Sequence, residues 1–158
     1  MNINYRSLLP DESKLYRSIR LESLSEFPES FCANYHDALK IEKFRTENDI
    51  EQQSFERFVF GAFSEEELIG ICVFVKNENN TGHIYQMYVK KEYQGKNIGS
   101  GLIHSIINEA NKRFNGIEIF LEVTPQNSKA YYLYKKIGFE EVINKINPDN
   151  SITMKYIE

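Results

Sequence analysis

Two cysteines in 158 residues, Cys32 and Cys72, are too few and too far apart for a disulfide framework, and they form no C-x-x-C motif. Both are expected as reduced, buried thiols. Histidine is scarce as well: His36, His83 and His104 stand scattered, so no metal site is expected. No apolar run approaches the roughly 20 residues needed to cross a bilayer. The polar N-terminal stretch lacks the pattern of a signal peptide, and a cytoplasmic location is expected. Positive charge is not in excess either. A net charge of −4 argues against a nucleic-acid partner, whose phosphates demand a basic face. Both familiar nucleotide loops are missing, since no G-x-x-x-x-G-K-[ST] occurs and G-x-G-x-x-G fails at Asn97. Without repeats or linkers, residues 1–158 are expected to form a single domain that buries roughly two-thirds of its unfolded surface.

What is present alternates between two periods. Asn2 to Leu9 reads as a strand, and Asp11 or Ser13 caps a helix to about Ser25 with Leu15, Ile19 and Leu24 toward the core. Pro28 ends it. The polar stretch from Glu29 to Ser54 predicts one or two short helices. Three strands follow as a meander, over Phe55 to Phe63, Leu68 to Lys76 and Thr81 to Val89. A helix to about Phe114 carries Ile98, Leu102, Ile103, Ile106, Ile107 and Ala110 on one side, and Gly116 stops it. Ile117 to Val123 is a strand, about Ser128 to Ile137 a helix, and Phe139 to Ile146 and Ser151 to Ile157 two last strands. One strand–helix–strand unit among hairpins gives a mixed sheet of class α+β, with Thr81–Val89 and Ile117–Val123 parallel.

The segment Val89 to Ser100, V-K-K-E-Y-Q-G-K-N-I-G-S, is the most informative. A strand, a glycine-bearing turn and a helix N-terminus present several backbone N–H groups and the positive end of a helix dipole to one point. That geometry holds a phosphate or pyrophosphate. Gly95 and Gly99 let the backbone approach an anion without an intervening Cβ, and Lys96, with Lys90 and Lys91 nearby, adds positive charge. Ligands in a parallel section favour the carboxyl ends of its strands. The turn lies at one such end and Glu122 to Gln126 at the other.

Together with L-E-V-T-P-Q-N-S-K-A-Y-Y-L-Y-K-K-I-G-F-E (Leu121 to Glu140), this turn resembles the GNAT superfamily of acyl-CoA-dependent N-acetyltransferases. The resemblance rests on Gln94 to Gly99, the L-E-V strand, Asn127, Ala130 and Tyr134 at the helix start, and the Ile137 to Phe139 exit. Asn97 departs from it, standing where the family has a central glycine; asparagine tolerates a left-handed backbone best after glycine. The family implies a mixed sheet of about six to seven strands, with a splayed parallel pair and about four flanking helices. It also implies acetyl-CoA as cosubstrate, no metal and a primary-amine acceptor, small molecule or protein. Pairing into a homodimer is compatible with it.

The resemblance places the pyrophosphate of coenzyme A on Gln94, Gly95, Lys96, Asn97, Ile98, Gly99 and Ser100. Pantetheine would lie along Met87, Tyr88 and Val89 and touch Asn127, with the N–H near Val89 polarising the thioester carbonyl. Tyr134 matches the family tyrosine near the thioester sulfur and is assigned as general acid. Aromatics at helical spacing are otherwise commonly core. Glu122, twelve residues before it, is the candidate base, as in the branch resembling ribosomal-protein N-terminal acetyltransferases; ordered water is the alternative. Glu22, Glu26 and Glu29 beside Phe27, Phe31 and Tyr35 would suit a cationic acceptor. The competing reading from another class is a coenzyme A-binding sensor or interaction module without transfer.

Overall fold

The computed structural model describes residues 2–26 and 34–157. Seven strands form one sheet in the order β1-β2-β3-β4-β5-β7-β6. They are β1 (Ile3–Ser7), β2 (Arg57–Ser64), β3 (Glu67–Asn77), β4 (Thr81–Val89), β5 (Glu118–Val123), β6 (Phe139–Glu141) and β7 (Ile152–Tyr156). All neighbouring pairs are antiparallel except β4 and β5, which are parallel. Helices α1 (Ser13–Glu26), α2 (Tyr35–Leu39) and α3 (Arg45–Glu51) precede β2, α4 (Ile98–Arg113) links the parallel pair, and α5 (Ser128–Ile137) follows β5. The mixed α+β sheet and its parallel crossover are as the sequence predicts. Cys32, Pro28, Phe27, Glu29 and Phe31 lie outside the described residues.

Two apolar layers flank the sheet. Helix α4 buries Ile98, Leu102, Ile103, Ile106, Ile107 and Ala110, the stripe read from its spacing; each aliphatic chain so buried contributes about 1.5–3 kcal/mol. Across the sheet, Tyr16 and Ile19 of α1 and Ile50 of α3 pack on Val59, Ile71 and Val73. Leu15 is a correction: it is 44% exposed while Tyr16 is 1% exposed. The buried face runs through Tyr16, Ile19, Ser23 and Leu24, so Ile19 and Leu24 are core as predicted and Tyr16 takes the place expected for Leu15. The penultimate strand is also shorter than predicted, because the chain leaves the sheet after Glu141 and exposes Ile143 and Ile146.

One irregularity shapes the centre. Along β3 and β4, Ile71 faces Tyr88 and Val73 faces Tyr85, so two steps on β3 meet three on β4. The extra residue is a bulge at Gln86, whose φ is +57. The Tyr16 hydroxyl donates to Gln86 Oε1 at 2.7 Å and holds it from α1. A bulged strand bends and twists away from its old direction. Pairing of β4 with β5 accordingly stops at Ile84 and Leu121, and the two strands part beyond it.

Candidate active site

The gap between β4 and β5 opens onto a cleft of about 350 Å³. Met87, Tyr88 and Val89 form one wall; Gln94, Gly95, Asn97, Ile98, Gly99 and Ser100 form the floor; Asn127, Ala130 and Leu133 close it from α5. Gly95 has φ +79 and Asn97 has φ +64, ψ 19, so the chain turns through two left-handed residues directly before α4. Only glycine and asparagine enter that region readily. The first helical bond of α4 runs from Gly101 N to Asn97 O at 3.1 Å. The N–H groups of Ile98, Gly99 and Ser100 precede it and have no helical acceptor. They cluster where the helix dipole is positive.

The Val89 amide is also aimed. Lys90 N–H bonds Ile69 O on β3 at 2.8 Å. Successive residues of a strand direct their backbone groups to opposite edges, so the Val89 N–H points toward the edge that β5 has left. The Val89 carbonyl on that edge accepts from Gln94 Nε2 at 2.8 Å, which ties the turn to the strand.

A second cavity of about 380 Å³ adjoins the first through Met87, Asn127 and Ala130. Tyr134 and Glu122 both line it. Tyr134 is 8% exposed, its ring set edge-on to Phe139 at 6.0 Å. Burial, with the Cys72 thiol nearby, raises its pKa well above that of a free phenol, so it holds its proton. Glu122 behaves oppositely. His83 first, then Thr153 and Lys145, hold its carboxyl below the usual range against the opposing effect of partial burial. His83 Nε2 lies 3.5 Å from Glu122 Oε2, and the Thr153 hydroxyl donates to the same oxygen at 3.3 Å.

Asn127 caps α5, its side chain accepting from Ala130 N–H at 3.2 Å. It thus sits where both cavities meet. Tyr131, one helical turn beyond Asn127, turns away instead and donates to Glu141 at 2.6 Å. Lys96 is exposed and lines neither cavity, because the left-handed turn carries its side chain outward while the backbone faces in. Glu22 is drawn to β4, accepting from the Tyr88 hydroxyl at 2.8 Å. Tyr35 packs edge-on against His36.

Sequence reasoning missed three contributors to the second cavity: Arg20 of α1, Gln86 of the bulge and Asp149 of the β6–β7 loop. Arg20 reads locally as one more helix cation, and it is 8% exposed. Asp149 reads as a turn residue. The contact of His83 with Glu122 joins positions 39 apart, and no local pattern announces it. Among the described residues, no group of three or more His, Cys, Asp or Glu side chains is arranged to hold a metal ion, and no helix is long and apolar enough to cross a membrane.

The family model described as "Acetyltransferase (GNAT) family" matches residues 18–139. The chain is 38% identical over 61 residues to an N-alpha-acetyltransferase of Sulfurisphaera tokodaii, covering 39% of this chain and 36% of that one. It is 24% identical over 87 residues to a probable spermine N(1)-acetyltransferase of Bacillus subtilis subsp. natto, covering 51% and 57%. The chain therefore spans only about a third to just over half the length of these curated relatives. The crystal structure of PaiA N-acetyltransferase from Thermoplasma acidophilum, in complex with coenzyme A, is similar over 100% of both chains, with a TM-score of 0.80 and 25% identity.

Proposed function

The chain belongs to the GNAT family of acetyltransferases, and from that premise we propose that it moves the acetyl group of acetyl-CoA directly onto a primary amine in the cytoplasm. The observation that carries this reading is the row of amides at Ile98, Gly99 and Ser100, opening on a cleft that runs past Val89 into the cavity of Tyr134 and Glu122. A diphosphate on those amides meets aligned donors and a helix dipole. Pantetheine then follows Met87 to Val89, with Asn127 beside it, and Lys96 adds long-range attraction only. The solved relative's complex with coenzyme A supports the same cosubstrate.

The chemistry follows from the two acidities. Glu122, ionised, takes a proton from the acceptor ammonium. The freed nitrogen lone pair attacks the thioester carbon, and the Val89 N–H stabilises the oxyanion that develops. As the C–S bond breaks, the Tyr134 hydroxyl gives its proton to the departing thiolate and regains one from the nitrogen of the new amide, while Glu122 releases the first proton to solvent. The net exchange is thioester plus amine to amide plus thiol. Glu22 beside Tyr88 supports a cationic acceptor, and the relatives' names supply two probe amines, a peptide α-amine and spermine.

Calorimetry with coenzyme A, followed by mass spectrometry of these amines incubated with acetyl-CoA, tests the reading. Tight binding and a gain of one acetyl group on an amine are expected. Binding without any acetylated product would leave only a coenzyme A-binding module.

A further inference from the structure

Resting on the reading of Glu122 as base, we propose that His83 is its positioning residue: Asn77 locks the imidazole in the tautomer that carries its proton on Nε2, and that N–H fixes the Glu122 carboxylate toward the acceptor cavity. Asn77 Nδ2 stands 2.7 Å from His83 Nδ1. An amide nitrogen only donates, so Nδ1 must accept and the single proton of the neutral ring sits on Nε2. That nitrogen is the one 3.5 Å from Glu122 Oε2, a few tenths of an ångström beyond a formed N–H···O bond. Such contacts in ligand-free sites commonly tighten once the substrate complex forms.

The ring itself has little freedom. It is stacked on Tyr85 at 5.8 Å and on Phe120 at 5.6 Å, with interplanar angles of 17° and 25°. On the far side of the carboxylate, Thr153 is held by Asn147 Nδ2 at 2.8 Å; with its own donor role toward Glu122, it completes a chain from Asn77 to Asn147. Both donors converge on Oε2. Among the described residues Oε1 receives no hydrogen bond, so it is the oxygen open to the acceptor proton. The side chain of His83 is itself 23% exposed, and it is not asked to touch substrate.

Other charged or titratable groups surround Glu122. Tyr85 on β4 has its pKa raised, by burial first and then by the Glu122 carboxylate. Lys145, from the loop before β7, adds a weaker attraction than His83 does. Arg20 and Asp149 line the cavity with opposite charges. Thr153 carries none. Removing the His83 donor therefore lets the Glu122 carboxyl rise, and the acid limb of the rate profile moves to higher pH.

The test uses the full chain. Imidazole ¹⁵N spectra, with His83 assigned by loss of its signals in His83→Gln, should show an unprotonated Nδ1 and a protonated Nε2; a protonated Nδ1 in the neutral ring overturns the proposal. Kinetics use whichever of spermine or a peptide α-amine is acetylated faster. His83→Leu should lower kcat about tenfold, a fraction of what a general base supplies, with the KM for acetyl-CoA unchanged and the acid limb displaced upward. His83→Gln, whose Nε2 can donate from nearly the same place, should restore most of the rate. Leucine as good as wild type, or glutamine no better than leucine, overturns it. Glu122→Gln separates the two ideas: if it turns over normally, the base reading has failed, whereas a slow Glu122→Gln beside a normal His83→Leu sinks the positioning role alone. If neither amine is acetylated, the tautomer still decides.

Discussion

Tyr134 and Glu122 line one cavity from α5 and β5, and their surroundings drive their acidities apart. Burial keeps the phenol protonated, while the His83 contact keeps the carboxyl ionised although part of it is buried. A proton donor beside a proton acceptor at neutral pH is the division that acyl transfer to an ammonium requires.

Tyr134→Phe removes the hydroxyl and leaves the ring against Phe139. Turnover should fall by about 10²-fold or more, the usual worth of a general acid. Coenzyme A affinity, measured by calorimetry, should stay as it was, because the diphosphate site proposed on the α4 amides does not involve this hydroxyl. Turnover equal to wild type at every pH would remove Tyr134 from this role.

Asn97 tests the turn. Its φ of +64 suits glycine even better, so Asn97→Gly should keep coenzyme A affinity. A β-branched residue is a poor occupant of the left-handed region. Asn97→Val should cost about 1–2 kcal/mol of stability in urea unfolding, and it should weaken coenzyme A binding as the amides lose their alignment. Equal affinity in Asn97→Val and wild type would show that this conformation is not what aims them.

Glu47 sets an acid limit on the fold beneath the site. Its side chain is fully buried. Burial opposes ionisation, but the Phe44 N–H at 2.7 Å, Lys14 at 2.9 Å and Arg17 at 2.9 Å outweigh it and lower the carboxyl below its usual range. A depressed folded value gives stability that is complete above the unfolded carboxyl range and is lost as pH falls through the folded value. Glu47→Gln should cost about 2 kcal/mol at pH 7, less than the ~3–5 kcal/mol of breaking a fully buried pair, because Lys14 is 68% exposed. The gap between variant and wild type should narrow as unfolding is repeated below about pH 4, near the ordinary carboxyl value. A gap that stays constant with pH would mean that the charge of Glu47 contributes nothing.

Local rules made much of this legible from the chain alone. The α4 stripe is a 3.6-residue period, and Gly95 and Asn97 are the two residue types that a left-handed turn selects. The strand–helix–strand unit therefore appears with its parallel pairing, and the amides of Ile98 to Ser100 with it. Ile19 and Leu24 of α1 were legible as core, but the choice between Leu15 and Tyr16 was not: both are large and apolar enough to fit, and only the position of α1 across β3 selects Tyr16. Lys96 misled because its charge suggested contact, whereas the turn presents backbone and turns the side chain away.

The sequence by itself determined the left-handed turn and the helix behind it, because each depends on residues within a few positions of one another. The tertiary structure alone decided where the cleft opens. Gln86 has no preference for a positive φ, and its bulge is held by the hydroxyl of Tyr16, 70 residues away; that contact parts β4 from β5. The tautomer of His83 and the charge state of Glu122 are of the same kind. They arise from strands brought side by side, and the energy of a hydrogen bond depends on distance in space rather than on separation along the chain.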